Sequence, residues 1–297
     1  VLFKRQQLLL TLLDALGAPA GHTDFQKLLF LFTQECESEP SYEFVPYRFG
    51  GFSFTSYADK RKLIEKGFLA DDDQHWVLTD TGRNAARKHA VDLLHIVAFC
   101  RQHSNLRGNA LIVEQYRRYP YYASRSELLN KLELDPEARA RIAVAKPKRQ
   151  AAGLLTIGYE GRSLENYLNE LLRAGVTVLC DVRRNPLSRK YGFSKGTLSH
   201  ACDGVGIRYQ HLPELGIASE ERQELVTQAD YDSLFSTYER TTLPHQTTAL
   251  DKIIGWISEG DRVALTCYER LPAQCHRARV AKALVQTGSL ERGVQHL

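Results

Sequence analysis

Apolar residues recur at helical spacing from the first turns of the chain. Leu8, Leu9, Leu12, Leu13 and Leu16 share one face of a helix predicted over 5–16, and Gly17 stands where a C-terminal cap belongs. Thr23 or Asp24 caps a second predicted helix, 25–35. Phe49-Gly-Gly-Phe-Ser-Phe54 reads as a turn, and 53–66 as a third helix stopped by Gly67. Phe68-Leu69 and Trp76-Val-Leu78, with the acidic Asp71-Asp-Asp-Gln-His75 between them, read as a hairpin. Thr79 or Asp80 then caps a helix running to about residue 99. Three helices followed by a hairpin is the order of a winged helix, expected over 1–100.

The pattern changes after the basic, small-residue stretch 143–153. A short buried strand at 154–157 precedes an amphipathic helix at 163–174 and a continuous apolar strand at 176–182. A helix at 193–203, a strand at 207–212, a helix at 247–258 and a strand at 263–266 follow. A polar loop then leads to a helix over 277–285. Strands alternating with helices predict a parallel sheet covered on both faces. The fold class expected is therefore α/β, with a parallel-sheet C-terminal domain (154–290) and a smaller winged-helix (α+β) N-terminal domain. A basic, Tyr-rich helical connector, 101–145, joins them.

With 297 residues, 43% hydrophobic and 25% charged, the chain has enough apolar material for about two ordinary globular domains. No apolar run approaches the ~18–20 residues of a membrane span, and the start carries no signal-peptide pattern, so a cytoplasmic location is expected, with no membrane partner. Six scattered cysteines without a CxxC pair predict reduced thiols. Residues 1–150 hold 22 Lys/Arg against 18 Asp/Glu, whereas 151–297 balance at 17 and 17. The excess of +4 in the first half points to a polyanionic partner, DNA first among nucleic acids.

Lys60, Arg61 and Lys62 fall on the third helix, where a recognition helix places phosphate contacts; a solvated helical face is the ordinary alternative. Between 101 and 125, five arginines, Arg117 and Arg118 among them, interleave with Tyr116, Tyr119, Tyr121 and Tyr122. That composition suits stacking on unpaired bases beside phosphates, and equally suits packing of the segment onto its own domain.

In a parallel α/β sheet, ligands bind beyond the carboxyl ends of the strands. Three loops, 158–162, 181–188 and 267–277, are expected to meet there. They would bring Glu160, Asp181 and Glu269 near Tyr159, Arg162, Arg183, Arg184, Ser188 and Arg277. Carboxylates among arginines suit a phosphorylated sugar: the arginines clamp phosphate, and a carboxylate attacks or activates water at the anomeric carbon. Glu160, between a strand end and Gly161, is the preferred nucleophile or general base. Asp181 has a structural alternative, accepting backbone N–H groups or pairing with Arg183.

Cys267 invites comparison with thiol enzymes, its thiolate stabilised by Arg277 and a helix N-terminus. Yet the loop is too long, and too poor in small residues, to cradle phosphate. Cys267 is expected to pack at the strand end, with Cys275 and His276 shaping the start of the helix. A Cys267/Cys275/His276 metal site lacks a clear fourth ligand, so neither metal nor cofactor is expected.

Thr156-Ile-Gly-Tyr-Glu-Gly-Arg-Ser163, Cys180-Asp-Val-Arg183 with Pro186 and Ser188, Ile207-Arg-Tyr-Gln-His-Leu-Pro-Glu-Leu-Gly216, and Cys267-Tyr-Glu269 with Cys275-His-Arg277 occur in this order. Over about 155–285 they resemble the domain-of-unknown-function 488 family. The resemblance implies an α/β domain and brings no activity with it. The Tyr159-Glu160-Gly161 version looks like the branch fused to nucleic-acid-related modules. Phe25-Gln-Lys-Leu-Leu-Phe, Gly50-Gly-Phe, Gly67-Phe-Leu and Leu78-Thr-Asp-Thr-Gly82 more loosely resemble winged-helix modules of prokaryotic defence and toxin–antitoxin proteins.

The expected function is a nucleic-acid-binding enzyme acting on a nucleotide or modified base in DNA, with glycosylase-type cleavage of an N-glycosidic bond foremost. A DNA-binding regulator sensing an anionic ligand, and cysteine-dependent sulfur or phosphate transfer, are the alternatives.

Overall fold

The computed structural model of the chain describes residues 1–88, 90–222, 225–288 and 293–297. These form two compact units, Val1–Lys146 and Pro147–Leu297.

The first unit is helical with short antiparallel pairs. Its elements are α1 (Lys4–Leu16), β1 (Ala20–Gly21), α2 (His22–Glu35), β2 (Val45–Tyr47), β3 (Gly50–Phe52), α3 (Phe54–Glu65), β4 (His75–Trp76), α4 (Asp80–Lys88), α5 (Leu93–Gln102), α6 (Gly108–Arg118), α7 (Pro120–Ala123) and α8 (Pro136–Ala145). The apolar stripe of α1 is buried, and Gly17 closes the helix in the left-handed region at φ 72°. Leu28, Leu29, Phe30, Leu31 and Phe32 of α2 are buried as well, each such side chain stabilising the unit by roughly 1.5–3 kcal/mol. Trp76 of β4 lies opposite Ala20 of β1, and Leu69 bridges Leu78, so the predicted hairpin forms and gains β1 as a third partner.

Two local expectations change. The run read as a turn at 49–54 supplies β3, paired with β2. A Cβ on Gly51 would stand 2.9 Å from the Phe30 ring, so glycine here lets a strand press against α2 rather than marking a turn alone. The helix predicted from 79 to 99 divides into α4 and α5, with Asp92 at φ 48° before α5; His89 of that prediction lies outside the described residues. The segment 101–145 folds within the first unit. Ile112, Tyr116, Ala123, Leu132, Ala138 and Ile142 make a small core, and Tyr119 and Tyr122 set their edges against Phe30 at 5.0 and 4.7 Å.

The second unit contains β5 (Gly153–Gly158), α9 (Leu164–Arg173), β6 (Val178–Asp181), α10 (Lys195–Gly204), β7 (Arg208–His211), α11 (Gln228–Thr241), α12 (Thr247–Ser258), β8 (Arg262–Cys267), α13 (His276–Gln286) and β9 (Gln295–His296). Among the described residues the strands form one five-stranded parallel sheet in the order β7-β6-β8-β5-β9. The pleat divides its side chains between two covered faces. Val178, Val263 and Leu265 join Ile253 of α12 and Val280 and Leu284 of α13 in one cluster. Thr266, on the opposite face, receives the Tyr167 hydroxyl of α9 at 2.7 Å.

Candidate active site

Gly158 ends β5 opposite Cys267, which ends β8, so the two following loops leave the sheet side by side. Glu160 N–H donates to the Tyr268 carbonyl at 2.9 Å. The approach is so close that a Cβ on Gly158 would lie 1.9 Å from the Glu269 carbonyl oxygen, which explains the glycine. Gly161, at φ 75°, turns the chain back toward α9, whose first turn is capped by Ser163. One carboxylate oxygen of Glu160 accepts Arg270 N–H at 2.9 Å, which fixes the side chain at the edge of the two loops.

Arg277, fully buried at the start of α13, donates to the carbonyls of Glu269 (2.5 Å) and Arg270 (3.0 Å). The sequence reading of Arg277 as a phosphate ligand is thereby corrected: its guanidinium holds the loop after β8. Arg162 lies 3.7 Å from Glu170 of α9.

Asp181 ends β6 with no exposed surface. One oxygen accepts Arg183 N–H (3.1 Å) and Nε (2.8 Å); the other accepts Arg183 Nη2 (2.5 Å) and the Tyr209 hydroxyl (2.6 Å). A carboxylate has about four acceptor positions, and all are engaged, so the structural alternative describes Asp181 best. Burial pulls the Arg183 guanidinium down, but the Asp181 bonds and charge outweigh it and hold it above its ordinary value. Arg183 Nη1 also donates to the Tyr159 hydroxyl and the Phe193 carbonyl, both at 2.9 Å, while Tyr159 stacks on Phe193.

Beyond the carboxyl ends of β5, β6 and β8 opens a cleft of about 510 Å³, lined by Tyr159, Arg183, Arg184, Ser188, Arg189, Lys190, Cys267, Tyr268 and Glu269 among others. Arg184, Arg189 and Lys190 share this lining with Glu269, while the Arg183 guanidinium is paired with Asp181. Lys190 Nζ donates to the Tyr159 carbonyl at 3.1 Å; burial lowers its ammonium below its ordinary value, against the opposing charge of Glu160. Arg189, Lys190 and Tyr268 were not singled out from sequence. Their signal was position: the first two continue the loop after β6, and Tyr268 follows β8 directly.

Behind the cleft lies a buried thiol–imidazole cluster. The Cys267 thiol donates to Glu269 Oε2 at 3.3 Å and lies 3.7 Å from His276 Nδ1, while His276 Nε2–H donates to the Val182 carbonyl at 2.9 Å. The ligand atoms of Cys267, Cys275 and His276 all lie within 4.8 Å of one another. Burial alone would push the Cys275 thiol up. Hydrogen bonds with Cys267 and His276, with the charges of His276 and Arg277, instead hold it well below its ordinary value.

In the first unit, Lys60 departs from its expected role. Its ammonium is turned inward to the carbonyls of Asp72 (3.0 Å) and His75 (3.1 Å) and to His22 Nε2 (2.8 Å), so it ties α3 to the hairpin and is not available to phosphate. Arg61 and Lys62 are exposed. Arg117 pairs with Asp135, and Arg118 with Glu35 and Glu114.

Residues 163–284 match the family model described as Domain of unknown function DUF488. The match runs from the cap of α9 into α13 and contains the loops after β6 and β8. No curated protein matches the chain. Among the described residues, no helix is long and apolar enough to cross a membrane.

Proposed function

We propose that the protein is a nucleic-acid-binding enzyme whose C-terminal unit acts on a nucleotide or a modified base in DNA and hydrolyses its N-glycosidic bond. The observation that carries this reading is the cleft: Arg184, Arg189 and Lys190 beside the Tyr159 and Tyr268 rings and a carboxylate. Arginine and lysine pair with phosphate, and the half-exposed Tyr268 offers a π face to a base. Glu160, outside the cleft lining but close enough to act on Lys190 by charge and oriented by Arg270 N–H, serves as general base. It takes a proton from water as the water oxygen bonds to the anomeric carbon. The C–N bond breaks, the departing base takes its electron pair and a proton from solvent, and Glu160 returns to solvent the proton it took from water.

A base in duplex DNA must first be flipped out, which selects against well-paired bases. In the first unit, α1, α2 and α3 with β4 returning onto β1 follow winged-helix order, which supports nucleic-acid docking through Arg61 and Lys62. A role in prokaryotic defence suits an enzyme directed at modified DNA.

The test is incubation of the full chain with normal and modified-base DNA, reading free base and abasic sites. Base release is expected, and Glu160→Gln should lower it by at least ~10²-fold with little change in melting temperature. Absence of base release from every substrate, or full activity in Glu160→Gln, overturns the reading.

A further inference from the structure

We propose that Cys267, Cys275 and His276 form a binding site for a thiophilic divalent cation, zinc first, where β8 hands over to α13. The proposal is independent of the glycosidic reading. Two thiols and an imidazole converge with no more than 1% of any of the three residues exposed.

Their spacing matches coordination. A tetrahedral zinc with Zn–S near 2.3 Å and Zn–N near 2.0 Å sets sulfur and nitrogen about 3.6 Å apart. Cys267 Sγ and His276 Nδ1 stand 3.7 Å apart. Glu269 Oε2, 3.3 Å from Cys267 Sγ, stands outside the cluster that the other three form, so the fourth position falls to water or substrate.

The imidazole is already oriented for a metal. Because Nε2–H donates to the Val182 carbonyl, the ring turns Nδ1 toward the Cys267 thiol, the arrangement by which outer hydrogen bonds orient metal-bound histidines. Charge also closes. Two thiolates carry two negative charges, and a divalent cation balances them. Thiolate donors favour zinc over magnesium or calcium, which take oxygen ligands. The ligands come from a strand end and the first turn of a helix, so the ion would pin the loop that walls the cleft. Cys267 also lines that cleft, the side from which a fourth ligand would come.

The experiment is titration of the reduced, chelator-treated full chain with Co(II), then with Zn(II). The expected result is binding of one equivalent with an intense thiolate-to-cobalt charge-transfer band and the visible bands of a tetrahedral site, both removed by zinc. Cys267→Ser with Cys275→Ser should abolish the charge-transfer band. Glu269→Gln should retain it, because that carboxylate is not a ligand. A wild-type protein that develops no charge-transfer band, or a double serine variant that keeps it, overturns the proposal. The wild-type titration decides the matter even where a variant does not fold.

Discussion

Replacing Asp181 with asparagine separates a structural carboxylate from a catalytic one. Asp181 has no exposed surface, and Arg183, its partner, is only 5% exposed. Asparagine keeps one oxygen for Arg183 N–H and Nε, but turns an amide NH₂ toward Arg183 Nη2, which is also a donor, and toward the Tyr209 hydroxyl. The guanidinium stays charged and loses its counter-charge. Breaking one side of a buried pair in this way costs about 3–5 kcal/mol. That is a large share of the ~5–15 kcal/mol that holds a domain together.

The assay is hydrogen exchange of the full chain, read peptide by peptide, which reports local opening free energies. Protection of β6 and β7 should fall roughly 10²- to 10⁴-fold, since 1.36 kcal/mol is one power of ten. Peptides from the first unit should be unchanged. Asp181→Asn combined with Arg183→Met should regain part of the loss, because the unpaired charge is gone. Protection within about 1 kcal/mol of the parent, together with abolished activity, would refute the structural assignment and return Asp181 to catalysis.

Two further outcomes follow from buried positions. Lys27 is buried with its ammonium donating to the Gly51 carbonyl at 3.0 Å, and burial lowers its pKa from 10.5 to about 7. Between those values the unfolded chain binds the extra proton, so stability rises with pH through the window and is lost as pH falls to about 7. Near pH 7 the burial cost is roughly 4 kcal/mol, from which about 1 kcal/mol is subtracted for the Gly51 bond. Lys27→Met should thus stabilise the first unit by about 3 kcal/mol near pH 7 and by almost nothing near pH 10; a gain independent of pH in urea melts would sink the argument.

Gly158→Ala forces its Cβ against the Glu269 carbonyl, at 1.9 Å. It should displace the loop after β8 and abolish Co(II) binding. Gly161→Ala, at φ 75° with no atom within 4 Å, should cost only about 1–2 kcal/mol and leave binding intact. Equal binding by the two variants in a cobalt titration would show that the loop does not depend on this contact.

Apolar periodicity alone determined the parallel sheet and most of its helices. β5, β6, β8, α9 and α12 stand within one or two residues of where the pattern puts them, because each must bury a recurrent apolar set and that requirement is written residue by residue. The motif loops were legible for the same reason, being what remains between those elements. The pattern was silent on β9: Gln295 and His296 are both exposed, and the strand exists through its pairing with Leu155 and Thr156 of β5. It was silent as well on what the polar side chains of the loops face. Lys60 and Arg277 read as ligands for phosphate, and both turn inward to carbonyls of their own unit. Glu269 read as one carboxylate among three, and the folded loop sets it beside the Cys267 thiol. An apolar side chain needs only to leave water, and any partner will serve. A charged one takes its direction from the particular group that neutralises or accepts it, and that group reaches it only when strands and helices distant in sequence have packed.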